Sequence, residues 1–310
     1  MTTKKWNVAV LGATGLVGDM LLRVLEERDF PVAELFPLAS SRSVGKRVEF
    51  AGKQWPVIDA ETFDFSRAQI GLFSAGGDVS ARYAPRAAAA GCVVVDNTSQ
   101  FRYEADIPLV VPEVNAAAIA QYKSRGIIAN PNCSTIQMLV ALKPIYDAAG
   151  IERINVATYQ SVSGAGKKAT DRTHYMFVAE NLAPYKTLRA HQHLVEVERA
   201  VSVRLLFVPL VAPLRRGMLI SGTVPLRAGV TQADLDAMPP LDAFWRRVTT
   251  APDVQQVANT PWIAVHYALD PQSQRLQFVT ALDNLSRGAA TQAIANLNLM
   301  WQWPETTGLI

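Results

Sequence analysis

Short apolar runs alternate with stretches of helical spacing through the first half of the chain. The apolar runs that predict strands are Trp6–Leu11, Glu34–Ala39, Gln69–Phe73, Cys92–Asp96 and Gly126–Ala129. The stretches with helical spacing are Met20–Leu25, Val79–Ala90 and Ile136–Lys143. Alternation of strand and helix predicts a parallel sheet that binds its ligands at the carboxyl ends of the strands.

The second half follows a different pattern. Leu219–Val224 and Leu276–Ala281 alternate or run apolar, which is typical of strands in a mixed sheet. Thr231–Leu235 begins like a capped helix, and Asp242–Val248 predicts another helix. Gly288–Trp301 predicts a long closing helix.

Composition narrows the class of protein. Apolar residues make up 49% of the 310 residues and charged residues 18%, which favours a soluble globular enzyme over a disordered chain. The 30 basic and 27 acidic residues are scattered without a basic block, so no nucleic-acid partner is expected. No apolar run is long enough for a membrane span, and two cysteines make no disulfide framework. We therefore expect a cytoplasmic protein, and we predict no metal site.

A glycine-rich turn after the first predicted strand indicates a nucleotide site. Its spacing, G-x-x-G-x-x-G, provides a tight turn, close backbone approach and a helix N-terminus for a pyrophosphate. A purely structural glycine turn is the alternative. The cofactor-binding residues predicted here are Gly12, Thr14, Gly15, Leu16 and Val17, and a second close-approach turn adds Ser74 and Gly76.

The residues after the second predicted strand indicate which dinucleotide binds. An NAD site usually carries an acid there, which accepts a hydrogen bond from the ribose 2′-hydroxyl. This chain has Ser40, Ser41 and Arg42 instead. Hydroxyls and a guanidinium suit a 2′-phosphate, so NADP is the predicted cofactor.

Cys133 is the candidate nucleophile. It follows the predicted strand Gly126–Ala129 and precedes a helical stretch, with Asn132 or Ser134 as the candidate N-cap. At a helix start, N–H groups and the helix dipole favour a thiolate, which can attack a carbonyl carbon while nearby N–H groups hold the oxyanion. The alternative is that Cys133 packs without chemistry, as buried cysteines usually do. Cys92, in an apolar run, is predicted to be a core residue.

Five motifs occur in order over roughly residues 6–170: Gly12–Gly18, Asp96–Arg102, Pro112–Asn115, Asn130–Thr135 and Tyr159–Gly166. Together they resemble the bacterial aspartate-β-semialdehyde dehydrogenase family, which reductively dephosphorylates β-aspartyl phosphate with NADPH. The resemblance implies Cys133 as nucleophile, Gln160 as the residue that orients the substrate, and Arg102 as a phosphate ligand. From the residues alone, a surface arginine is the alternative for Arg102. The predicted substrate ligands are Arg102, Asn132 and Arg204, and the resemblance places Ser163, Gly164 and Ala165 at the nicotinamide ribose.

The remainder resembles a related family, the N-acetyl-γ-glutamyl-phosphate reductases. The similar stretches are Lys186–Arg199, Phe207–Met218 and Asp283–Leu309. By resemblance the last helix returns to the nucleotide-binding domain and directs Asn284 and Gln292 towards the cofactor, with ordinary helix packing as the alternative. Both families share one reaction type.

One departure concerns the general acid/base. The reductase pattern has a catalytic histidine at the position of Leu210, and alignment on the dehydrogenase pattern from Arg204 places it near Val211. A general acid/base contributes about 10²–10⁴-fold to a rate, so its loss predicts slow turnover. The histidines present are His174, His191, His193 and His266. His191 or His193 is a candidate substitute, and an exposed or hydrogen-bonded structural residue is the alternative for each.

We therefore predict an α/β chain: an N-terminal Rossmann-type NADP-binding domain and an α+β catalytic and dimerisation domain with a mixed sheet. The expected limits are residues 1–132, completed by 283–310, and residues 133–282. The predicted reaction is NADPH-dependent reductive dephosphorylation of an acyl phosphate to a semialdehyde through a Cys133 thioester, with release of inorganic phosphate. Aspartate semialdehyde is favoured, N-acetylglutamate semialdehyde is the alternative, and an impaired NADP-binding relative is a third. A homodimer or homotetramer is expected.

Overall fold

The computed structural model describes residues 4–165, 179–187 and 193–310, without the side chains of Ala165, His193 and Arg199. The chain forms two compact units, Met1–Asn132 with Ala289–Ile310, and Cys133–Gly288. The domain limit predicted from the sequence falls at the same residue, Asn132. Residues 283–288, predicted to belong with the nucleotide-binding domain, lie in the second unit instead. In the part of the chain that is described, no helix is long and apolar enough to cross a membrane.

The first unit is built on a parallel sheet. Its strands are β1 (Trp6–Leu11), β2 (Val32–Ala39), β5 (Ile58–Asp59), β6 (Ile70–Phe73), β7 (Val93–Asp96) and β8 (Ile127–Ala129), and β3 (Arg47–Phe50) and β4 (Lys53–Pro56) form a separate hairpin. Its helices before residue 133 are α1 (Leu16–Glu27), α2 (Gly77–Ala89) and α3 (Pro112–Asn115). Among the described residues the sheet order is β5-β2-β1-β6-β7-β8. The nearly continuous burial of these short strands is what a parallel sheet covered on both faces requires.

The second unit is built on a mixed sheet. Its strands are β9 (Arg153–Ser161), β10 (Ala183–Pro184), β11 (Arg204–Ala212), β12 (Met218–Pro225), β13 (Trp245–Arg247), β14 (Ile263–Asp270) and β15 (Arg275–Leu282). Its described helices are α4 (Cys133–Ala149), α5 (His193–Ala200) and α6 (Gln232–Asp236). Within the described ranges the sheet order is β10-β11-β9-β12-β15-β14-β13, with parallel pairs only at β11–β9 and β14–β13. The predicted fold class, a parallel-sheet nucleotide-binding domain followed by a mixed-sheet domain, is confirmed.

The two faces of this mixed sheet differ. On the covered face α4 packs against the strands, and Gln137 Nε2 of that helix donates to Thr280 Oγ1 at 2.8 Å. We call the opposite face of the sheet the open face. Leu206 and Val208 project from β11 on that face and are 60% and 43% exposed. Alternation along β11 follows the two-residue period of a strand, because its neighbours Phe207 and Pro209 are buried.

After the second unit the chain returns to the first. A π-helical turn at Ser286–Ala290 leads into α7 (Thr291–Met300), so the predicted closing helix is divided in two. Beyond α7, Trp301 stacks on Trp6 of β1 with ring centroids 4.4 Å apart. This aromatic contact attaches the last residues to the first strand of the same unit.

The predicted helix at Asp242–Val248 is wrong. Asp242 Oδ1 accepts from the backbone N–H groups of Phe244 and Trp245 at 2.8 and 2.7 Å, forming a side-chain-capped turn. Trp245–Arg247 then pairs in parallel with β14. The apolar spacing was ambiguous, and the strand partner that decides the structure lies far along the sequence.

Candidate active site

Glycines shape the turn after β1. Gly12 has a φ of +91°, and a Cβ there would lie 3.0 Å from the backbone carbon of Ser74. A Cβ on Gly18 would lie 2.2 Å from the oxygen of Gly12, so only glycine allows α1 to approach the turn. Gly15 precedes α1, and no side chain caps that helix start. The uncapped helix start, with Leu16 and Val17 in its first turn, suits a phosphate group.

A second turn fits the same ligand. Ser74 follows β6, and its Oγ is buried without a hydrogen-bond partner among the described residues. Gly76 has a φ of +103° and open space where a Cβ would lie. A buried hydroxyl without a partner is costly unless a ligand satisfies it. The residues of both turns therefore fit a bound dinucleotide.

Ser40, Ser41 and Arg42 lie exposed directly after β2. β2 is the parallel neighbour of β1, and Gly12 N donates to Leu38 O at 2.8 Å, so these residues share the sheet edge with the glycine turn. Hydroxyls and a solvent-facing guanidinium at this edge fit the 2′-phosphate of NADP better than a ribose hydroxyl.

Arg102 is buried, so the alternative of a surface arginine is wrong. Its Nε donates to Asn130 O and one of its Nη atoms to Asn97 O, both at 3.0 Å. Asn130 Nδ2 in turn donates to Asn97 Oδ1 at 2.7 Å. These contacts hold the guanidinium at the carboxyl ends of β7 and β8, where ligands of parallel sheets bind.

Asp96, at the end of β7, was not singled out from the sequence. Burial raises the pKa of its carboxyl, and hydrogen bonds from Ser80 and Thr98, each 2.6 Å long, together with the Arg102 charge oppose that rise. The available signal was an acid that ends an apolar strand, which is unusual because buried acids require partners. Asp96 holds the start of the segment that carries Arg102.

Gln292 lies in α7 and has no exposed surface. Its Nε2 donates to Val110 O at 3.5 Å, while its Oε1 has no partner among the described residues. Asn296, one turn later, donates to Asn130 Oδ1 at 3.0 Å. These contacts match the helix-packing alternative for Gln292, and its role at the cofactor stays a prediction.

Cys133 is the first residue of α4. Asn132 therefore occupies the N-cap position, and Ser134, the other candidate, lies inside the first turn. Cys133 is partly accessible, whereas Cys92 is fully buried and burial raises the pKa of the Cys92 thiol to about 12. A partly accessible thiol at a helix start is the arrangement that favours a reactive thiolate.

Gly288 packs on this cysteine. A Cβ at position 288 would lie 2.7 Å from Cys133 Cβ, closer than real Cβ contacts allow. Gly288 N donates to Asp283 O, five residues earlier, at 2.9 Å, which is the hydrogen bond of a π-helical turn. Gly288 was not predicted as a site residue, because nothing local in the motif shows that it faces the nucleophile.

Gln160 is the centre of a polar cluster on the covered face. Its Nε2 donates to Ser134 Oγ and to Thr158 Oγ1, both at 3.0 Å, and its Oε1 accepts from the Tyr185 hydroxyl at 2.5 Å. Ser134 follows Cys133 directly, so the structure brings the predicted nucleophile and the predicted orienting residue to one place. Tyr185 was not predicted, since it belongs to no motif.

The strand register shows which residue of β11 lies beside Gln160. Val211 is opposite Gln160, and Leu210 is opposite Tyr159. Because successive side chains alternate between faces, Leu210 points to the open face. Of the two positions predicted for the missing histidine, only Val211 therefore lies on the covered face beside Gln160, where it is buried.

The strand register places Arg204 far from Gln160, so its predicted substrate role stays a prediction. Arg204 pairs with Arg153 at the opposite end of β11 from Val211. Seven strand residues span roughly 23 Å, so Arg204 does not reach Gln160. Sequence spacing carries no information on which end of a strand approaches the nucleophile.

Of the histidines, His174 and His191 lie outside the described residues, as does the His193 side chain. The role predicted for His191 or His193 therefore stays a prediction. His266 is opposite Val279, in the row of the open face that includes Val208, and its Nδ1 lies 3.1 Å from Val248 O. It does not face Gln160.

The predicted ribose-binding residues Ser163, Gly164 and Ala165 lie in a 3₁₀ turn, Val162–Ala165, after β9. Asn284 Nδ2 donates to Ser163 Oγ at 3.0 Å, while its Oδ1 accepts from Gly217 N at 2.8 Å and from Ser161 Oγ at 3.0 Å. Gly164 is exposed, with open space where a Cβ would lie. Asn284 therefore fixes the loop predicted to hold the nicotinamide ribose.

Comparison with known proteins identifies the family. Residues 7–122 match the model described as "Semialdehyde dehydrogenase, NAD binding domain", and residues 133–284 match "Semialdehyde dehydrogenase, dimerisation domain". The crystal structure of aspartate semialdehyde dehydrogenase II from Vibrio cholerae superposes with a TM-score of 0.89 and 41% identity, covering 96% of this chain and 99% of that one. The chain belongs to the aspartate-semialdehyde dehydrogenase family.

A second relative and a ligand-bound structure of the Vibrio cholerae enzyme also match the chain. The aspartate-semialdehyde dehydrogenase of Shewanella violacea is 69% identical over 167 residues, which are 54% of this chain and 49% of that protein. The Vibrio cholerae enzyme complexed with ASA matches with a TM-score of 0.88 and 41% identity, covering 97% of this chain and 99% of that one. In sequence, then, the chain spans about half the length of the curated relatives it matches, while the fold is shared over nearly all of it.

Proposed function

We propose that this member of the aspartate-semialdehyde dehydrogenase family catalyses the reversible, NADP-dependent interconversion of β-aspartyl phosphate and aspartate semialdehyde. The observation that carries the proposal is Cys133 at the start of α4, with Gln160 bonded to the adjacent Ser134. The bound form of the Vibrio cholerae relative supports this substrate over the longer N-acetylglutamyl one. The nucleotide turns and Arg42 support NADP as the cofactor.

The chemistry follows from the residues. The Cys133 thiolate attacks the acyl carbon, the S–C bond forms, and inorganic phosphate leaves with the electron pair of the C–O bond. The helix N-terminus favours the thiolate and the developing oxyanion. NADPH, when bound, supplies the hydride that reduces the thioester. Collapse of the resulting hemithioacetal releases the aldehyde and restores the thiolate, while Gln160 orients the substrate and the anchored Arg102 binds its phosphate.

A second candidate is an impaired NADP-binding member of the family. It is favoured by Val211, an aliphatic residue beside Gln160 where an acid/base would act. The loss of a general acid/base costs about 10²–10⁴-fold, which leaves slow but measurable turnover.

The assembly we propose is a homodimer, or a tetramer built from it, through the open face of the mixed sheet. The family model over residues 133–284 is described as a dimerisation domain. The open face carries the row Val208, Ala157, Ser221 and Val279 across four adjacent strands, next to exposed Leu206. Such a mostly uncharged sheet face is suited to cover by a second copy.

The test is NADPH formation at 340 nm with NADP, phosphate and either aspartate semialdehyde or N-acetylglutamate semialdehyde, with Cys133→Ala as the blank. Turnover on aspartate semialdehyde that depends on Cys133 is expected. Iodoacetamide should label Cys133 well before Cys92, because Cys92 is buried and burial raises the pKa of its thiol to about 12. Equal affinity for NADH and NADPH would remove the NADP assignment. NADP binding with very slow turnover, or with none, on both aldehydes would favour the impaired candidate.

A further inference from the structure

Tyr185 lies beside Gln160 on the covered face. It follows β10, whose Ala183 is opposite Val211, which is in turn opposite Gln160. The backbone N–H of Tyr185 donates to Pro209 O at 3.1 Å, so the residue continues the β10–β11 pairing. Its hydroxyl reaches Gln160 Oε1 at 2.5 Å. The phenol therefore extends over the strand that would carry a histidine at position 211.

The two ends of the Gln160 amide have different partners. Ser134 Oγ, which accepts from Gln160 Nε2, directs its own hydroxyl proton to Met218 Sδ at 3.7 Å. It is therefore set as an acceptor for the NH₂ group. At the other end the phenol donates to Oε1. An amide can turn by 180° unless its partners distinguish oxygen from nitrogen. Ser134 Oγ and Thr158 Oγ1 accept from Nε2, and the Tyr185 phenol supplies the donor that holds Oε1 at the other end.

The phenol is suited to donation and not to base catalysis. Burial raises the pKa of Tyr185 far above its ordinary value, and the charge of the nearby Cys133 raises it further, against a smaller lowering by the Gln160 hydrogen bond. A phenol that keeps its proton at every working pH is a permanent donor. It cannot take over the proton transfer that Val211 fails to provide, because a base must accept a proton near the operating pH.

We propose that Tyr185 is a positioning residue, which holds the Gln160 amide in the one orientation that presents its NH₂ group beside Cys133. Its kinetic consequence rests on the proposed function, in which Gln160 orients the substrate. Loss of the phenolic hydroxyl allows the amide to turn, so a fraction of the enzyme presents oxygen where nitrogen is needed. The cost is about tenfold in kcat/KM for the semialdehyde, the size expected for one hydrogen bond.

The experiment compares Tyr185→Phe with Tyr159→Phe. Tyr159 directly precedes Gln160 but lies on the open face, so it is a matched control. The first readout is the side-chain ¹⁵N–¹H₂ signal of Gln160, identified by its loss in Gln160→Glu. It should shift in Tyr185→Phe and stay in place in Tyr159→Phe. This readout needs no turnover, so it tests the proposal even if the wild-type chain proves inactive.

The second readout is kinetic. In Tyr185→Phe, kcat/KM for the semialdehyde should fall about tenfold, with an unchanged KM for NADP, an unchanged melting temperature and a pH–rate profile of unchanged shape. An unmoved Gln160 signal would overturn the proposal. Loss of one limb of the pH profile would also overturn it, since Tyr185 would then be an acid/base rather than a positioning residue. If Tyr185→Phe does not fold, two other variants test the proposal. Tyr185→Trp keeps a ring and an N–H donor, so it should retain the wild-type Gln160 signal in part. A fully wild-type Gln160 signal from Tyr185→Leu would contradict the proposal.

Discussion

In the mixed sheet of the second unit, residues adjacent in sequence lie on opposite faces, and the two faces have different surroundings. Gln160 and Val211 lie on the covered face beside Ser134, while Tyr159 and Leu210 lie on the open face. One residue of displacement along a strand moves a side chain from a polar cluster at the nucleophile to a surface suited to a second copy. The face on which a residue of β9 or β11 lies, and not its place in a sequence motif, therefore determines whether it can take part in the chemistry.

The largest effect expected is at the support of the nucleophile. Gly288→Ala would place a Cβ 2.7 Å from Cys133 Cβ, so the first turn of α4 must shift. A displacement of about 1 Å near the reacting atoms costs on the order of 10²-fold in rate, and we expect a loss of that size. The measurements are turnover and the rate of Cys133 alkylation.

Gly222→Ala is the matched control for this variant. Its Cβ would lie 2.5 Å from Phe278 Cζ, in the same unit but away from Cys133. It should lower the melting temperature while leaving the alkylation rate of Cys133 as in wild type. If Gly288→Ala behaves no differently from Gly222→Ala, Gly288 has only a packing role.

Histidine substitutions at two neighbouring positions of β11 test the difference between the two faces. Val211→His places an imidazole opposite Gln160, and a general acid/base contributes about 10²–10⁴-fold when well aligned, so a gain of at least tenfold in kcat is expected. Leu210→His, one residue away on the open face, should give none. The pH–rate profile should gain an ionisation near neutral pH in Val211→His only. A gain from Leu210→His alone would show that Leu210 and Val211 are assigned to the wrong faces of the sheet.

The smallest effect on turnover is expected from changes on the open face. Val208→Asp places a charge in the row that also contains Ala157 and Ser221, and burial of an unpaired charge in an interface is strongly unfavourable. The dimer should dissociate in sedimentation velocity, while NADP binding persists. Val44→Asp, in the first unit and 53% exposed, is the control. A Val208→Asp protein that sediments as wild type would exclude this face as the interface.

Much of the first unit was predictable because its signals are local. The strand Trp6–Leu11, the glycine turn and the uncapped start of α1 all lie within one short stretch, and burial on both faces leaves apolar runs that are easy to identify. Cys133 at a helix start was predictable for the same reason. Chemistry set by neighbouring residues in sequence can be derived from sequence.

What could not be predicted depends on pairing over long distances. Nothing near Val211 shows that it is opposite Gln160, and Tyr185 reaches that cluster only because β10 joins β11. Asp242–Val248 has a spacing compatible with a helix, yet its partner β14 makes part of it a strand. Gly288 meets Cys133 across more than a hundred residues of chain. Strand register, and the face on which each side chain lies, are set by the tertiary structure. They could therefore not be derived from a single sequence.

The return of the chain to the first unit has a consequence for biosynthesis. Residues 133–288 form a unit that is continuous in sequence, whereas the first unit needs Ala289–Ile310, including the stacking of Trp301 on Trp6. During synthesis the second unit can therefore complete its fold before the first unit has its last helix. Since domains fold as their residues emerge, the nucleotide-binding unit would mature after the second unit, and chains stalled before Ala289 would lose binding of the nicotinamide cofactor first.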